Sequence, residues 1–347
     1  MSTLLITGAS GFIAKHTILA ALAAGHQVRG TVRTAAKGEA VKRVLAPHTD
    51  RLEAVRFVQA ELQDAAGWSE AVAGCDAVLH MASPFPLSAP KSEDEVIGPA
   101  RDGTVRVVRA ALEAGVPRLV LTSSFAAIGY GLSENRPDHV LTEADWSDPA
   151  SPDNSAYTRS KTLAEKAAWD EVAQSGPDLV VINPALVLGP VLGPVLGPVS
   201  DGSVGSSVAL IQKMLQGALP GTPRMGFGVI DVRDVADLHV RAATAEDVGG
   251  ERFIASNAFV WLKDIAAMLR RAVPERYARK VPKRSLPDFV VRLAALTDRD
   301  VRDNLFELGK ERRLDGSKAR TRFGWQPRST DQAVTDCAAS LIEQKLV

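Results

Sequence analysis

Residues 3–14 read TLLITGASGFIA. Thr3 to Thr7 form a short β-rich run, Gly8-Ala9-Ser10-Gly11 a glycine turn, and Phe12-Ile13-Ala14 open a stretch of helical spacing that runs to residue 24 and stops at Gly25. A strand led through a glycine turn onto a helix N-terminus is an architecture suited to a pyrophosphate. Gly8 allows the tight turn and Gly11 lets the backbone approach the phosphates. The helix start presents unpaired N–H groups and the positive end of its dipole. The third position of the pattern holds Ala14 rather than glycine, still small enough for close packing of helix on strand. Gly8, Ser10, Gly11, Phe12 and Ile13 are therefore candidate dinucleotide contacts.

Outward from this turn, strand-like and helix-like stretches alternate. Residues 26–33, 54–59, 76–81, 118–123 and 179–183 read as strands, and 35–46, 67–73, 99–114 and 155–175 as helices. Apolar strands separated by helices predict a parallel sheet covered on both faces, and right-handed crossovers make it doubly wound. The expected class is α/β: a Rossmann domain with a smaller C-terminal substrate lobe. After residue 185 the rhythm changes. Residues 189–199, GPVLGPVLGPV, repeat a Gly-Pro unit that neither a helix nor a central strand accepts, so they read as a loop. Residues 203–216, 233–246, 261–272 and 329–344 look helical and 227–232 extended. The expected division is 1–185 for the nucleotide domain, with elements near 227–260 returning to it, and 186–226 plus 261–347 for the lobe.

The 347 residues carry 41 Lys+Arg against 41 Asp+Glu. This balance argues against a general nucleic-acid partner, which needs a cationic excess to displace counterions. With 46% hydrophobic and 24% charged residues the chain supports a full core rather than disorder. No apolar run reaches the roughly 18 residues of a membrane span. No basic region precedes the first apolar stretch, so no signal peptide is expected. Cys75 and Cys337 make neither a C-x-x-C pair nor a disulfide framework, which fits a reducing cytoplasm. The six histidines lack metal-ligand spacing, and no metal is expected.

The second strand ends Thr31-Val32-Arg33-Thr34, without the carboxylate that would meet a ribose 2′-hydroxyl. Arg33, with Lys37 close behind, offers a cationic fork for a 2′-phosphate instead, which favours NADP(H) over NAD(H). Tyr157 and Lys161, four residues apart, share one helical face. A nearby ammonium favours phenolate and makes Tyr157 a usable general acid. Neither Tyr130 nor Tyr277 has such a partner: four residues on, they meet Glu134 and Val281. Thr122-Ser123-Ser124 stands at the carboxyl end of the fifth strand, where an open α/β sheet places its ligand crevice. Ser124 is the candidate to hydrogen-bond a carbonyl oxygen, Ser123 is the alternative, and Thr122 is a candidate cofactor contact.

Together these residues resemble the extended branch of the short-chain dehydrogenase/reductase superfamily. Within it, the chain is similar to the dihydroflavonol reductase and cinnamoyl-CoA reductase group, with its microbial aldehyde and ketone reductases. The resemblance runs through TGASGFIA (7–14), VRGTVR (28–33), CDAVLHMASP (75–84), the DGT helix (102–104), LVLTSS (119–124), YTRSKTLAEKAAW (157–169), NPALVLGP (183–190) and DVRDVADLHV (231–240). It implies hydride transfer from NADPH to an aldehyde or ketone by a monomer or homodimer. It also implies that Tyr157 is the proton donor, that Lys161 holds the ribose, and that Ser124 orients the carbonyl. Further implied cofactor contacts are Glu61 and Leu62 at the adenine, Met81, Ala82 and Ser83 at the ribose and pyrophosphate, and Pro184 to Val187 beside the nicotinamide. Glu61 replaces the family's usual Asp. Gly129 stands where plant dihydroflavonol reductases have an Asn for flavonoid hydroxyls, which counts against a flavonoid substrate. Phe85, Phe125 and Tyr130 are candidate substrate walls, with Ser124 and Tyr157 at the carbonyl. Two other readings stay open: a nucleotide-sugar epimerase or hydroxysteroid dehydrogenase of the same superfamily, and a non-catalytic NADP(H)-sensing protein.

Overall fold

A computed structural model describes residues 1–83, 93–132, 139–151, 154–173, 176, 178–193 and 206–347. Phe85 and residues 194–199 of the Gly-Pro repeat lie outside them. In chain order the strands are β1 (Thr3–Ile6), β2 (Gln27–Val32), β3 (Val55–Gln59), β4 (Ala77–His80), β5 (Arg118–Thr122), β6 (Asp178–Pro184), β7 (Leu186–Leu188), β8 (Gly226–Asp231), β9 (Glu251–Ala255) and β10 (Ala258–Trp261). The helices are α1 (Phe12–Ala23), α2 (Ala35–Leu45), α3 (Trp68–Val72), α4 (Asp94–Glu113), α5 (Ala156–Val172), α6 (Ser206–Gln216), α7 (Val232–Thr244), α8 (Leu262–Ala272), α9 (Glu275–Ala278), α10 (Asp288–Ala294), α11 (Arg299–Asp303), α12 (Ser317–Phe323) and α13 (Thr330–Glu343). The strands and helices expected before residue 185 fall at their expected places. The one large shift is α4, which starts at Asp94 and passes through Pro99; Asp94 and Glu95 in its first turn suit the positive end of the helix dipole.

Seven strands form one parallel sheet in the order β3-β2-β1-β4-β5-β6-β9. Strand alternation explains why both faces are apolar. Leu4, Ile6, Leu79, Val120, Val180 and Ile182 point to the layer that holds α1 and α7. Leu5, Val78, Leu119, Leu121, Leu179 and Val181 point to the layer that holds α3, α4 and α5. The order reverses between β1 and β4, so a crevice opens beyond their carboxyl ends.

A second sheet, β10-β8-β7, packs with α6, α8 and α13 around Leu188, Ile211, Met214, Val229, Ile265, Cys337 and Leu341. Helix α1 joins the two regions. Its buried Lys15 donates to the carbonyl of Leu192 at 3.0 Å, and His16 bonds the carbonyl of Pro190 at 2.8 Å. The first Gly-Pro copy is thereby held against α1. Among the described residues no helix is long and apolar enough to cross a membrane.

Candidate active site

The glycine turn is held from below. Gly8 has φ +66, the left-handed region, and a Cβ there would stand 3.0 Å from the Cα of Ala82 on the neighbouring strand end. Its N–H donates to Thr31 Oγ1 at 3.0 Å, and the Gly11 N–H closes the turn on the Gly8 carbonyl at 2.8 Å. Gly11 caps α1 with no side-chain hydrogen bond and no acidic residue follows in the first turn, so the helix N–H groups are left for an anion. One supporting residue escaped the sequence reading. Gly30, inside β2, lets the turn settle: a Cβ there would meet Phe57 at 2.7 Å and Ala9 at 2.8 Å. A glycine within a strand is the signal that marks such a close approach.

Beyond β2, exposed Arg33 stands beside α2, whose N-cap Thr34 accepts from the Lys37 N–H. Burial lowers the Lys37 ammonium pKa, the Arg33 charge lowers it further, and Glu61 opposes both. Arg33, Lys37 and Glu61 thus share one neighbourhood beyond the carboxyl end of β2. The Glu61 carbonyl accepts from the Trp68 indole at 3.1 Å, and Leu62 lies against α4 at Gly103, where a Cβ would come within 3.1 Å. Met81 and Ala82 are fixed through their N–H groups, both donated to Thr7 Oγ1 at 3.0 and 2.9 Å, and Ser83 follows them, exposed. Pro184 ends β6, and Val187 lies on β7, paired in register with Ile230.

Tyr157 and Lys161 lie on the first turns of α5, capped by Ser155, whose hydroxyl accepts from the Thr158 N–H at 3.1 Å. Tyr157 is 48% exposed, unusual for a tyrosine beside the core, so its phenol faces open space. The Lys161 ammonium is 5.9 Å from its ring centroid. At the end of β5 the two serines part ways. Ser123 is buried and donates its hydroxyl hydrogen to Glu165 at 2.5 Å. Ser124 is half-buried, and its Oγ accepts from the Ala126 N–H at 3.1 Å, which leaves its own hydrogen for a ligand. Hydrogen-bond geometry thus separates two residues that sequence reading kept as alternatives.

Under these residues runs a buried polar layer that sequence reading largely missed. Thr7 Oγ1 accepts two backbone N–H groups, so its hydrogen goes to His80 Nδ1, 2.8 Å away, and His80 is the Nε2–H tautomer. Burial, and next the Lys161 charge, push its pKa down to about 3, so His80 is a neutral core residue. His239 on α7 pairs its Nδ1 with the Val235 carbonyl at 2.8 Å, and its Nε2 then takes the Thr122 hydroxyl hydrogen at 2.8 Å. The Thr122 hydroxyl is therefore left as an acceptor only. Glu165, Asn183 and Arg252 complete the layer. The available signals were polar residues closing apolar strand runs, at His80 and Asn183, and Glu165 one turn beyond Lys161.

Tyr130 is buried with its hydroxyl engaged. It is 8% exposed, and its hydroxyl donates to Glu307 at 2.6 Å. Its ring lies 5.3 Å from Phe125 and 5.7 Å from Phe306, with the Arg312 guanidinium 4.4 Å from its centroid. Burial and then the Glu307 charge raise its pKa well above the ordinary phenol value. Phe306, Glu307 and Arg312 come from the C-terminal region, far from Tyr130 in sequence, and were not anticipated. Asp231 caps α7 by accepting from the Arg233 N–H.

Comparison with known proteins gives consistent findings. The model of the "NAD dependent epimerase/dehydratase family" matches residues 4–255. Cinnamoyl-CoA reductase 1 of Petunia hybrida is 35% identical over 272 residues, covering 78% of this chain and 77% of its own. Dihydroflavonol 4-reductase of Zea mays is 34% identical over 282 residues, covering 79% of this chain and 75% of its own. Among solved structures, Gre2 from Candida albicans in complex with NADPH superposes with a TM-score of 0.76 at 26% identity, over 99% of each chain.

Proposed function

Because the chain belongs to the NAD dependent epimerase/dehydratase family, we propose that it works as an NADPH-dependent reductase of aldehydes and ketones. The observation that carries this reading is the pairing of an exposed Tyr157, beside the Lys161 ammonium, with a Ser124 hydroxyl whose hydrogen is uncommitted. The dinucleotide fits the residues present. The uncapped start of α1 and the close approach of Gly8 to Ala82 suit a pyrophosphate. Arg33 and Lys37 suit a 2′-phosphate. Ser83, Thr122 and Lys161 would hold ribose hydroxyls, with Pro184 to Val187 alongside the nicotinamide. When bound, NADPH supplies the hydride that the carbonyl carbon receives.

The chain's own residues do the rest. Ser124 donates its hydrogen to the carbonyl oxygen and orients it. Tyr157 delivers a proton to the same oxygen as negative charge develops there, and Lys161 favours the phenolate left behind. Phe125, Tyr130 and Phe306 form an aromatic wall that suits an apolar substituent on the carbonyl. The buried free thiols Cys75 and Cys337 support a reducing, cytoplasmic setting.

The test is NADPH oxidation across aromatic aldehydes, β-ketoesters and diketones, with Tyr157→Phe as the control. Wild type should turn over at least one class, and the variant should lose about 10²–10⁴-fold in turnover while still binding NADPH. Tight NADPH binding without turnover on any carbonyl would point to a sensor. Near-normal turnover by Tyr157→Phe would remove Tyr157 as the acid.

A further inference from the structure

Glu165 sits one turn beyond Lys161 on α5, with its side chain wholly inside the protein. A buried carboxylate there is expensive to desolvate, and an ion pair in its place is seldom more stabilising than well-packed apolar side chains. What the carboxylate touches suggests another role. Its Oε2 accepts from Ser123 Oγ at the end of β5 (2.5 Å) and from Asn183 Nδ2 near the end of β6 (2.8 Å). Its Oε1 accepts from Arg252 Nε on β9 at 2.6 Å and from the Trp169 indole at 3.5 Å. One side chain of α5 thus holds the carboxyl ends of β5 and β6 and the start of β9.

Each donor is itself anchored. Asn183 Nδ2 also donates to the carbonyl of Ser124 at 3.2 Å, so a single amide connects Glu165 to the candidate catalytic serine. Arg252 donates to the carbonyls of Glu143 and Asp145, both at 2.7 Å, and lies 3.8 Å from the Trp146 ring centroid. That holds in place the segment 143–146. Glu165 and Lys161 also line one narrow crevice with Thr122, Ser123 and Ser83, of about 20 Å³, room for about one water.

We infer that Glu165 is a positioning residue for the reaction: it locks α5 to the carboxyl ends of β5 and β6 and to Arg252 near the start of β9, and thereby sets Ser124 against Tyr157 and Lys161. The inference rests on the reductase reading above, in which Ser124 and Tyr157 must converge on one carbonyl oxygen. A misplacement of about 1 Å between such groups can cost about 10²-fold in rate.

The experiment is steady-state kinetics of full-length Glu165→Gln and Glu165→Asp, with active sites counted by NADPH binding. Glutamine keeps the shape, but its amide must face at least one of the existing donors, so the network opens. The aspartate is one methylene too short to keep all its contacts but retains the charge, and it is the variant to read if the glutamine protein does not fold. The expected result is a fall in kcat of about 10-fold or more, with KM for the carbonyl and Kd for NADPH each within about 3-fold. A double-mutant cycle with Ser124→Ala separates positioning from simple stability. If Glu165 acts through Ser124, its substitution should cost about 3-fold or less once Ser124 is already alanine. A kcat per active site within about 2-fold of wild type, or costs that multiply fully in the cycle, would overturn the positioning role. Those outcomes beside an inactive Tyr157→Phe sink only this inference. An active Tyr157→Phe sinks the reductase reading itself.

Discussion

The β1-β2-β3 side of the crevice is built from main chain and small residues. Gly8, Gly11 and Gly30 bring the backbone close, and Thr31 supports it through one hydroxyl. The β4-β5-β6-β9 side instead buries polar and ionisable side chains: His80, Ser123 and Asn183 at strand ends, Arg252 near the start of β9 and, from α5 and α7, Glu165 and His239. The contrast fits the roles proposed for the two sides. A diphosphate spreads its charge over several oxygens and is met well by a fan of backbone N–H groups. A proton passes at one atom, so the groups that deliver it need a rigid surround that fixes each tautomer and hydrogen bond.

Acid should separate the two sides most strongly. His80 and His239 are held neutral, with pKa values pushed down to about 3 and about 4. Below the ordinary histidine pKa the unfolded chain takes up protons that the folded chain refuses, so stability is full above pH ~6.5 and falls as pH drops towards those values. Each histidine should add about 1.4 kcal/mol per pH unit to that fall. His16, tied to Pro190 and lowered to about 4, adds a third on the α1 side. Urea unfolding at pH 7, 6 and 5 checks this, and a flat stability over that range would break the account of the buried layer.

The next effect belongs to the glycine side. Gly30→Ala should cost about 1–3 kcal/mol, because a methyl there has to displace Phe57 and Ala9. Thermal melts with and without NADPH should show a larger loss with NADPH present, if the turn above moves as well. An unchanged melt would mean that the turn does not depend on this close approach. The smallest effect concerns selectivity. Arg33→Ala should raise KM for NADPH about 10-fold and leave NADH almost untouched. An unchanged preference between the two cofactors would shift the 2′-phosphate contact away from Arg33.

Legibility followed sequence distance. The glycine turn, the strands up to residue 185 and the Tyr157–Lys161 pair rest on neighbours within a few residues, so composition and spacing reveal them. The three-residue β7, the late partner β9 and the antiparallel β10 were not read. Short strands carry little periodic signal, and their pairing depends on segments far along the chain. The polar layer was hidden for the same reason. Glu165 and Arg252 are 87 residues apart, Thr122 and His239 are 117 apart, and Tyr130 and Glu307 are 177 apart.

Local sequence suffices for the doubly wound topology, the glycine turn and the helical face that carries phenol and ammonium. All three follow from local sterics and from the period of apolar residues. Folding alone sets which serine keeps its hydrogen, which tautomer each buried histidine adopts, and that the Tyr130 hydroxyl is engaged by Glu307. Those outcomes depend on which distant donor and acceptor meet within about 3 Å, a condition that only the folded chain sets.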